Sequence, residues 1–458
     1  MNDLITRLKG YVQDNRERLI DELTAFLAQP SVSTTGLGIE ETVVFLKEHL
    51  EKLGFEARIL TLPGANPAVF GQAGPAEASI SLTVYGHYDV QDPDPLSEWL
   101  SDPFEPRIRE GKLFARGATD DKGNLFANIK AAQALKEVSG GLPLRLRFLF
   151  EGEEEIGSPN LGSYLKDYSE LLSSEATILC DRGVHESGRP QIFLGNKGMV
   201  SVRVRARRAA RDVHSGHAPL IPSSAWDLVR FLASVKDGQE RILIPGYHDQ
   251  ISPPDGDELE LIKTIPFDPA RFQERYGIAA PLVKGTPEEM LTALLYRPTA
   301  NVSGIRSGWT GEKPKTIVPA ESEAIMDFRL VKGQTSAKAA ADIERFVLGS
   351  PLGPFELEIE PHFEEYRCPP SDPWAGLAMS TARAATGRDP VVWPLLDGSG
   401  PLCWFHRYLG GPTFIIGLGS PFETANTHAP NENIGLDQFL TGIVQMAALF
   451  HQGAGLAG

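Results

Sequence analysis

The chain has 458 residues, which exceeds what one hydrophobic core usually serves and predicts two or three domains. Its composition, with 41% hydrophobic and 23% charged residues, is ordinary for a globular protein. Its formal charge of −16 at pH 7, without a run of Lys and Arg that would form a basic patch, argues against a nucleic-acid partner.

The N-terminus and the cysteines indicate in which cellular compartment the protein is expected. The first residues, MNDLITRLKGYVQDNRERL, are charged throughout and lack the apolar core of a signal peptide. No apolar run approaches the ~18 residues of a membrane-spanning helix. The three cysteines are far apart and form no Cys-x-x-Cys motif, which argues against a disulfide framework or a cysteine-rich zinc site. We therefore expect a soluble cytoplasmic protein without a membrane partner.

Helical and strand patterns alternate in the first part of the chain. Apolar residues of 14–29 share one helical stripe that Pro30 ends, and 42–55 and 122–138 have helical patterns as well. Short apolar runs typical of buried strands occupy 80–86, 144–150, 176–180 and 412–419. This alternation predicts an α/β domain in which helices flank a mixed sheet.

The pattern changes near residue 199. Residues 200–208 and 324–331 alternate apolar and polar side chains, which is typical of a sheet covered on one face only. Between them, residues 244–269 are rich in Pro, Asp and Gly and are expected to be irregular. The sequence thus predicts an inserted α+β domain with an antiparallel sheet. Its predicted limits are 199–365, between the two parts of the first domain at 1–198 and 366–458.

Acidic residues and histidines follow each of the four predicted buried strands, where open α/β sheets gather their ligands. They are His87 and Asp89 after the first strand, Glu151, Glu153, Glu154 and Glu155 after the second, Asp181 after the third and His428 after the fourth. A further candidate, Asp120, precedes the helix at 122–138. Taken alone, Asp120 or its neighbour Asp121 is better explained as the N-cap of that helix.

Together, these side chains indicate a metal centre. So many carboxylates and two histidines at one sheet edge would repel each other and be poorly solvated unless a cation neutralised them. Oxygen and imidazole ligands without thiolates suit Zn²⁺, Mn²⁺ or Co²⁺. Because there are more ligands than one tetrahedral zinc needs, the simplest interpretation is two metal ions that share a bridging carboxylate.

Six segments occur in a fixed order along nearly the whole chain. They are GHYDV (86–90), ARGATDDKGN (115–124), EGEEEIGS (151–158), CDRG (180–183), DVHSG (212–216) and NTHAPNE (426–432). Each is a weak signal alone, but six in order are specific. Together they resemble the motifs of the M20 family of co-catalytic zinc peptidases, and most closely its branch of cytosolic nonspecific dipeptidases and carnosinases. The resemblance implies that residues 1–198 and 366–458 form a catalytic domain and that the insert is a lid and dimerisation domain.

The resemblance also implies roles at the metal centre. The implied ligands are His87 and Asp181 for one zinc, Glu155 and His428 for the second, and Asp120 for both. Asp89 would orient His87 through the other nitrogen of its ring. Glu154 would be the general base. The peptide bond between Asp120 and Asp121 is expected to be cis, as it is in the family.

Further roles concern the substrate. His214 would stabilise the oxyanion, acting on the active site of the other subunit of a homodimer formed through the insert. Arg329 would bind the C-terminal carboxylate of the substrate, although a solvated arginine on a strand explains it equally well. Further implied substrate contacts are Asn301, Gly398 and Ser399.

Three other glutamates and two loops complete the comparison with the family. Glu432 would support the loop of His428, and Glu151 and Glu153 are expected to be solvated or supporting residues. The family loop usually reads Gly-Gly-Ser, whereas residues 397–400 read Asp-Gly-Ser-Gly. His-Ala-Pro at 217–219 replaces the paired glycines that often follow His-Ser-Gly. These departures concern the substrate pocket and not the metal ligands.

The sequence therefore predicts hydrolysis of the peptide bond of dipeptides or short peptides that have a free C-terminal carboxylate. Two divalent metal ions, zinc first with manganese or cobalt as alternatives, would activate the attacking water, and Glu154 would take its proton. One alternative is an N-acyl-amino-acid amidohydrolase of the aminoacylase or desuccinylase type. Another is a non-catalytic metal-binding scaffold, against which the presence of Glu154 argues, because a scaffold has no use for a base.

Overall fold

The computed structural model describes residues 1–360 and 363–456. The predicted segments 199–365 and 366–458 therefore each include two residues, 361–362 and 457–458, outside the described residues. The described residues form fifteen α-helices and nineteen strands.

The strands are β1 (Glu56–Leu60), β2 (Ala68–Ala73), β3 (Ser81–His87), β4 (Arg107–Arg109), β5 (Lys112–Phe114), β6 (Arg145–Glu151), β7 (Ala176–Leu179), β8 (Gln191–Phe193), β9 (Gly195–Arg207), β10 (Val213–His214), β11 (Thr299–Ser307), β12 (Ile317–Val318), β13 (Glu321–Leu330), β14 (Phe355–Ile359), β15 (Tyr366–Arg367), β16 (Val391–Trp393), β17 (Leu396–Ser399), β18 (Thr413–Gly417) and β19 (Asn433–Gly435). The helices are α1 (Asn2–Asp14), α2 (Arg16–Leu27), α3 (Ile39–Lys52), α4 (Lys122–Ser139), α5 (Leu161–Asp167), α6 (Ser169–Leu172), α7 (Ser224–Val235), α8 (Gly256–Thr264), α9 (Pro269–Tyr276), α10 (Pro287–Tyr296), α11 (Ser336–Leu348), α12 (Pro373–Thr386), α13 (Leu402–Leu409), α14 (Phe422–Ala425) and α15 (Leu436–Gly453).

The larger sheet has eight strands in the order β1-β2-β6-β3-β7-β18-β8-β16. Its four central strands, β6, β3, β7 and β18, run parallel to one another, and β2 and β8 join them antiparallel. The central strands are almost completely buried, because helices cover both faces and each strand is a continuous apolar run. The four strands predicted from such runs are confirmed to within two residues at each end.

Helices α4 and α15 form the centre of one layer on this sheet. They pack against each other, and most of their side chains are buried. The N-terminal helix α1 was not predicted, since the charges of its sequence obscure its amphipathic pattern. Its buried face consists of Leu4, Ile5, Leu8 and Val12. This face joins the main hydrophobic core, so the N-terminal segment is an integral part of the fold.

The second sheet is built on the antiparallel order β11-β13-β9-β14, and two short strands also pair with β9, β15 antiparallel and β17 parallel. Along β13, side chains alternate between buried and half-buried, because α7 and α11 cover only one face. A separate hydrophobic cluster lies beneath those helices. The predicted fold class, a mixed sheet flanked by helices with an additional antiparallel sheet covered on one side, is confirmed.

The transition between the two sheets occurs within one strand. At the start of β9, Gly195 and Asn196 pair with β15, whereas residues 198–207 pair with β13. The helices α8 and α10 pack with the first sheet, since Ile262 and Leu291 share a buried cluster with Val391 of β16. These two helices, which lie within the predicted insert, therefore contact the first sheet.

The expectation that residues 244–269 are irregular is wrong for α8. A reciprocal cap starts this helix, in which the Asp255 carboxylate accepts the Glu258 N–H and the Glu258 carboxylate accepts the Asp255 N–H. Glu258 is also paired with Lys332 and Arg367, so tertiary contacts add to the local signal. Among the described residues, none of the helices has both the length and the apolar character that crossing a membrane requires.

Candidate metal centre

The candidate metal-binding side chains meet at one edge of the larger sheet. The carboxyl ends of its four parallel central strands all lie at this edge. His87 is the last residue of β3, and Asp181 follows β7 after Cys180. A short 3₁₀ turn that begins at Glu154 and includes Glu155 follows β6. Topology alone therefore collects residues that are far apart in the sequence.

Two groups of side chains are close enough to hold a metal ion. The first contains His87, Asp120 and Asp181, and the second contains Asp120, Glu155 and His428; within each group, the ligand atoms lie within 4.8 Å of one another. Asp120 belongs to both groups. Its Oδ1 is 3.1 Å from Nε2 of His87, and its Oδ2 is 2.9 Å from Nε2 of His428. The structure thus brings together all five side chains that the sequence singled out as ligands.

The donor atoms fit two divalent cations. Each group offers one imidazole nitrogen and carboxylate oxygens, which is a donor set that suits zinc, manganese or cobalt. The two oxygens of Asp120 face the two histidines separately, as a bridging carboxylate would. Glu155 Oε2 lies 3.0 Å from Nε2 of His428, and Asp181 Oδ1 lies 3.9 Å from Nε2 of His87.

The carboxylates around the two histidines raise the pKa of both rings. Burial disfavours the charged form of His87, but its hydrogen bond to Asp120 and its other carboxylate contacts hold the pKa of this ring well above its ordinary value. Hydrogen bonds to Asp120 and Glu155 raise the pKa of His428 to about 10. Protons on the two histidines therefore balance the carboxylates, and a bound cation would have to replace these protons.

Asp89 links His87 to the turn that carries Glu154. The Nδ1 atom of His87 is 3.0 Å from the backbone carbonyl oxygen of Asp89 and 3.4 Å from its carboxylate. The Asp89 carboxylate, which is fully buried, accepts the N–H groups of Glu154 at 3.2 Å and Glu155 at 3.1 Å. One side chain thus fixes the backbone of two adjacent glutamates and touches the ring of His87.

The environment of Glu154 favours its protonated form. Burial raises the pKa of this carboxyl group well above its ordinary value, and the nearby carboxylates of Asp181, Asp120 and Glu155 raise it further. His87 acts in the opposite direction. A carboxyl group of this kind has a higher affinity for a proton than a solvated glutamate.

The other two glutamates of the cluster are buried rather than solvated. Glu151 accepts a hydrogen bond from the Tyr85 hydroxyl at 2.5 Å, and burial raises the pKa of Glu151 to about 8. Glu153 accepts the N–H of Asn66 and the side-chain amide of Asn160. Of the two expectations, that they are solvated or that they are supporting residues, the second holds, since both are buried and hydrogen-bonded around the turn.

Glu432 holds the loop of Asp120, although it was expected to support the loop of His428. It is buried, and its carboxylate accepts hydrogen bonds from the Arg116 guanidinium and from the N–H groups of Gly117, Thr119 and Asp120, all between 2.9 and 3.0 Å. Because Glu432 also lies close to His428 along the chain, it connects the two loops that provide ligands to the second group.

Two further contacts were not predicted from the sequence. The side-chain amide of Gln91 donates to both the carboxylate and the carbonyl of Glu155, each at 3.0 Å. Asp121 occupies the N-cap position of α4 without capping it, and its carboxylate accepts the His87 N–H at 3.2 Å. Gln91 was missed because an uncharged residue in a loop adds neither charge nor hydrophobic periodicity to the sequence pattern. The peptide bond between Asp120 and Asp121 is cis, as the resemblance predicted.

His214 is on the second, inserted part of the chain, and its side chain makes a local contact. It is exposed at the end of β10, and its Nδ1 accepts the N–H of Gly216 at 3.0 Å. In the neutral ring, the proton is therefore on Nε2, which can donate. Among the described residues, no hydrogen bond or ion pair joins His214 to the two groups.

The candidate substrate-binding residues lie near the start of β9. Arg329 pairs with Met199 across β13 and β9, and its side chain is half-buried on the open face of the second sheet. On β11, the exposed Asn301 donates to Asp327 at 3.0 Å. Ser399 donates to the carbonyl oxygen of Gly198 at 2.9 Å. The loop that contains Ser399 therefore contacts the same strand that holds Arg329 in place.

Comparison with known proteins gives a consistent result. Residues 83–452 match the family described as peptidase family M20/M25/M40. Cys-Gly metallodipeptidase dug1 of Schizosaccharomyces pombe is 26% identical over 480 residues, which covers 98% of both chains. The human Beta-Ala-His dipeptidase is 26% identical over 394 residues, covering 84% of this chain and 77% of that protein.

Among solved structures, the M20 family metallo-carboxypeptidase Sso-CP2 from Sulfolobus solfataricus superposes with a TM-score of 0.89 at 33% identity. The match covers 95% of this chain and 99% of that one. The di-peptidase Dug1p from Saccharomyces cerevisiae has a TM-score of 0.84 at 23% identity, with 99% of both chains covered. This second likeness concerns the fold.

Proposed function

The chain belongs to peptidase family M20, and from this membership we propose that it hydrolyses the peptide bond of dipeptides or short peptides with a free C-terminal carboxylate. The observation that carries the proposal is the pair of ligand groups that share Asp120, with the carboxyl group of Glu154 beside them. The names of its relatives, two dipeptidases and a metallo-carboxypeptidase, support this substrate class.

Two divalent cations are the proposed cofactors, and zinc is the first choice. His87 and Asp181 would hold one, Glu155 and His428 would hold the other, and Asp120 would contribute to both. When bound, such cations supply Lewis acidity that polarises the scissile carbonyl and acidifies the attacking water. The chain itself keeps the ligands in place through Asp89, Gln91 and Glu432, whose contacts fix the backbone or carboxylates of the ligand loops.

Glu154 is the proposed general base. It takes a proton from the attacking water and delivers it to the nitrogen of the leaving amine. Three observations support this role: Glu154 lies in the turn next to Glu155, its pKa is raised, and its backbone N–H donates a hydrogen bond to the Asp89 carboxylate. A base that is held by the backbone loses little orientational freedom when the substrate binds.

Arg329 is the proposed anchor for the C-terminal carboxylate of the substrate. Its planar guanidinium can donate two parallel hydrogen bonds to a carboxylate. Among the described residues, no carboxylate forms an ion pair with Arg329, although it is half-buried. Asn301, Gly398 and Ser399 complete the proposed substrate contacts. Residues 199–365 would then form the lid that carries this anchor.

The substrate class is tested by comparing a dipeptide that has a free amino group with its N-acyl analogue. We expect hydrolysis of the free dipeptide and, at most, slow hydrolysis of the N-acyl compound. Release of amino acids measured by chromatography decides between them. The opposite preference would show an aminoacylase or desuccinylase type of enzyme. If the metal-loaded protein hydrolyses neither compound, the scaffold hypothesis is favoured.

His214 is the proposed oxyanion donor, and it acts on the active site of the neighbouring subunit in a homodimer. This is supported by its exposure, by the proton on Nε2 of its neutral ring and by the absence, among the described residues, of a hydrogen bond or ion pair with the ligand groups of its own chain. Stabilising a tetrahedral oxyanion requires a donor within ~3 Å of the reacting oxygen. A single chain would then have an incomplete site.

Mixing two inactive variants tests this arrangement. Glu154→Gln and His214→Ala proteins are mixed under conditions that let subunits exchange. In a mixed dimer, one site has both defects and the other has neither. We expect activity to return to about a quarter of wild type for random pairing and independent sites. Subunit exchange is verified by mass spectrometry of differently tagged chains. Exchange without recovered activity would show that His214 serves its own subunit or has no catalytic role.

A further inference from the structure

Arg182 is a cation beside the candidate metal centre that none of the roles above uses. It directly follows Asp181 in the sequence, and its side chain is half-buried. Among the described residues, Arg182 forms no ion pair. The nearby acidic residues have other partners, since Asp181 contacts His87, and both Glu186 and Glu423 pair with Arg275.

The guanidinium of Arg182 lies between two loops of the candidate site. Its Nη2 is 3.9 Å from the position that a Cβ atom would take on Gly398, in the predicted substrate loop. Its Cζ is 5.9 Å from the ring centroid of Phe422, on the helix α14 that leads to His428. Phe422 is 57% exposed, so this part of the site is open to solvent and to substrate.

The backbone of Arg182 is fixed by β18. Its carbonyl oxygen accepts the N–H groups of Leu418 at 2.8 Å and Gly419 at 3.3 Å. The side chain therefore starts from a rigid point at the carboxyl edge of the larger sheet. Arg329, in contrast, projects from the second sheet. The two arginines are carried by different parts of the fold, and they are suited to bind two different carboxylates.

We propose that Arg182 is a specificity-determining residue that binds a carboxylate on a side chain of the substrate, so that dipeptides with an aspartyl or glutamyl residue are preferred. This inference rests on the proposed function of the same site. An arginine next to a centre that takes divalent cations is repelled by them, and an anionic group of the substrate compensates this repulsion. The guanidinium also has the planar fork that matches a carboxylate.

The test compares kcat/KM for dipeptides that differ only in the charge of one side chain. The substrates are Ala-Ala, Glu-Ala, Ala-Glu, Lys-Ala and Ala-Lys, and the variants are Arg182→Gln, Arg182→Lys and Arg182→Glu. The matched control is Arg230→Gln, which removes the same charge from an arginine that also lies over an aromatic ring, 5.7 Å from that of Trp226. Metal content is measured for every variant.

For the wild type, we expect the highest kcat/KM with one of the two glutamyl substrates. Arg182→Gln should reduce the ratio of that value to the Ala-Ala value about tenfold, as for the loss of a half-buried charge pair. Arg182→Lys should retain part of the ratio, and Arg182→Glu should shift the preference to the corresponding lysyl substrate. Arg230→Gln should behave as wild type.

Three outcomes would contradict the inference. An unchanged ratio in Arg182→Gln would show that the residue has no part in specificity. An equal loss with all five substrates would show that Arg182 binds the C-terminal carboxylate or only supports the fold. If Arg182→Gln does not fold, Arg182→Lys decides, because lysine keeps the charge but lacks the planar guanidinium. An unchanged ratio of glutamyl to Ala-Ala kcat/KM in Arg182→Lys would also overturn the inference.

Failure of the wild type to hydrolyse any of the five dipeptides would instead refute the proposed function, and with it this inference.

Discussion

Replacing Glu154 with Gln is expected to reduce kcat by about 10²–10⁴-fold, the usual range for the loss of a general base, with metal content close to wild type. The amide has the same shape but cannot accept the proton of the attacking water. The backbone of the turn should not change, because the Asp89 carboxylate accepts the N–H of residue 154 whatever its side chain.

The matched control is Glu155→Gln, at the adjacent position. Asp89 holds its N–H in the same way, so the two variants differ only in which side chain loses its charge. Glu155 lies 3.0 Å from His428 within the second ligand group, and Glu155→Gln should therefore lose one of two metal ions. Elemental analysis and steady-state kinetics are measured on the same preparations. If Glu154→Gln loses the metal ion and Glu155→Gln keeps it, the two roles must be exchanged.

Removal of metal ions is expected to abolish hydrolysis, and addition of Zn²⁺, Mn²⁺ or Co²⁺ should restore it. A cation bound to the two ligand groups is what would polarise the substrate carbonyl. Without a cation, the protonated histidines only neutralise the carboxylates of these groups. The protein is dialysed against a strong chelator for a long period, and metal content and activity are followed in parallel. Protein that is fully active while elemental analysis shows it to be free of metal would refute the proposal.

The affinity for the metal ion is expected to depend on pH in one direction. In the metal-free protein, hydrogen bonds to Asp120 and Glu155 raise the pKa of His428 to about 10, so its ring carries a proton at neutral pH. A cation must displace this proton, and metal affinity should therefore increase as pH rises towards the pKa of His428. Titration with Zn²⁺ at several pH values, with proton release measured, checks this. An affinity independent of pH would contradict the assignment of His428 as a ligand.

The local patterns that the sequence carries were sufficient for the fold class and for the sheet edge at which the candidate ligands lie, and the family resemblance then implied which of these side chains are ligands. Parallel strands buried on both faces must be continuous apolar runs, so β3, β6, β7 and β18 are visible without any tertiary information. The acidic residues and histidines that end such runs must meet at one sheet edge. The alternating pattern of β13 is equally local, because one face of its sheet is open.

Elements without such a pattern were decided by tertiary contacts. The amphipathic face of α1 is masked by charges in the sequence and is revealed only by its packing on the main core. The helix α8 lies in a stretch rich in Pro, Asp and Gly, and Glu258 stabilises it through Lys332 and Arg367, which are distant in sequence. Local composition gives no information about such partners.

The sequence alone determined which side chains were candidates for the centre, because their positions after the strands are local properties and the resemblance to the M20 family implied which five of them are ligands. Only the tertiary structure decided what holds them there. Glu432 binds the loop of Asp120 across more than 300 residues of chain, and Gln91 holds the carboxylate of Glu155. These contacts depend on a buried acceptor that meets donors from a distant loop, and burial exists only once the sheet and its helices have assembled.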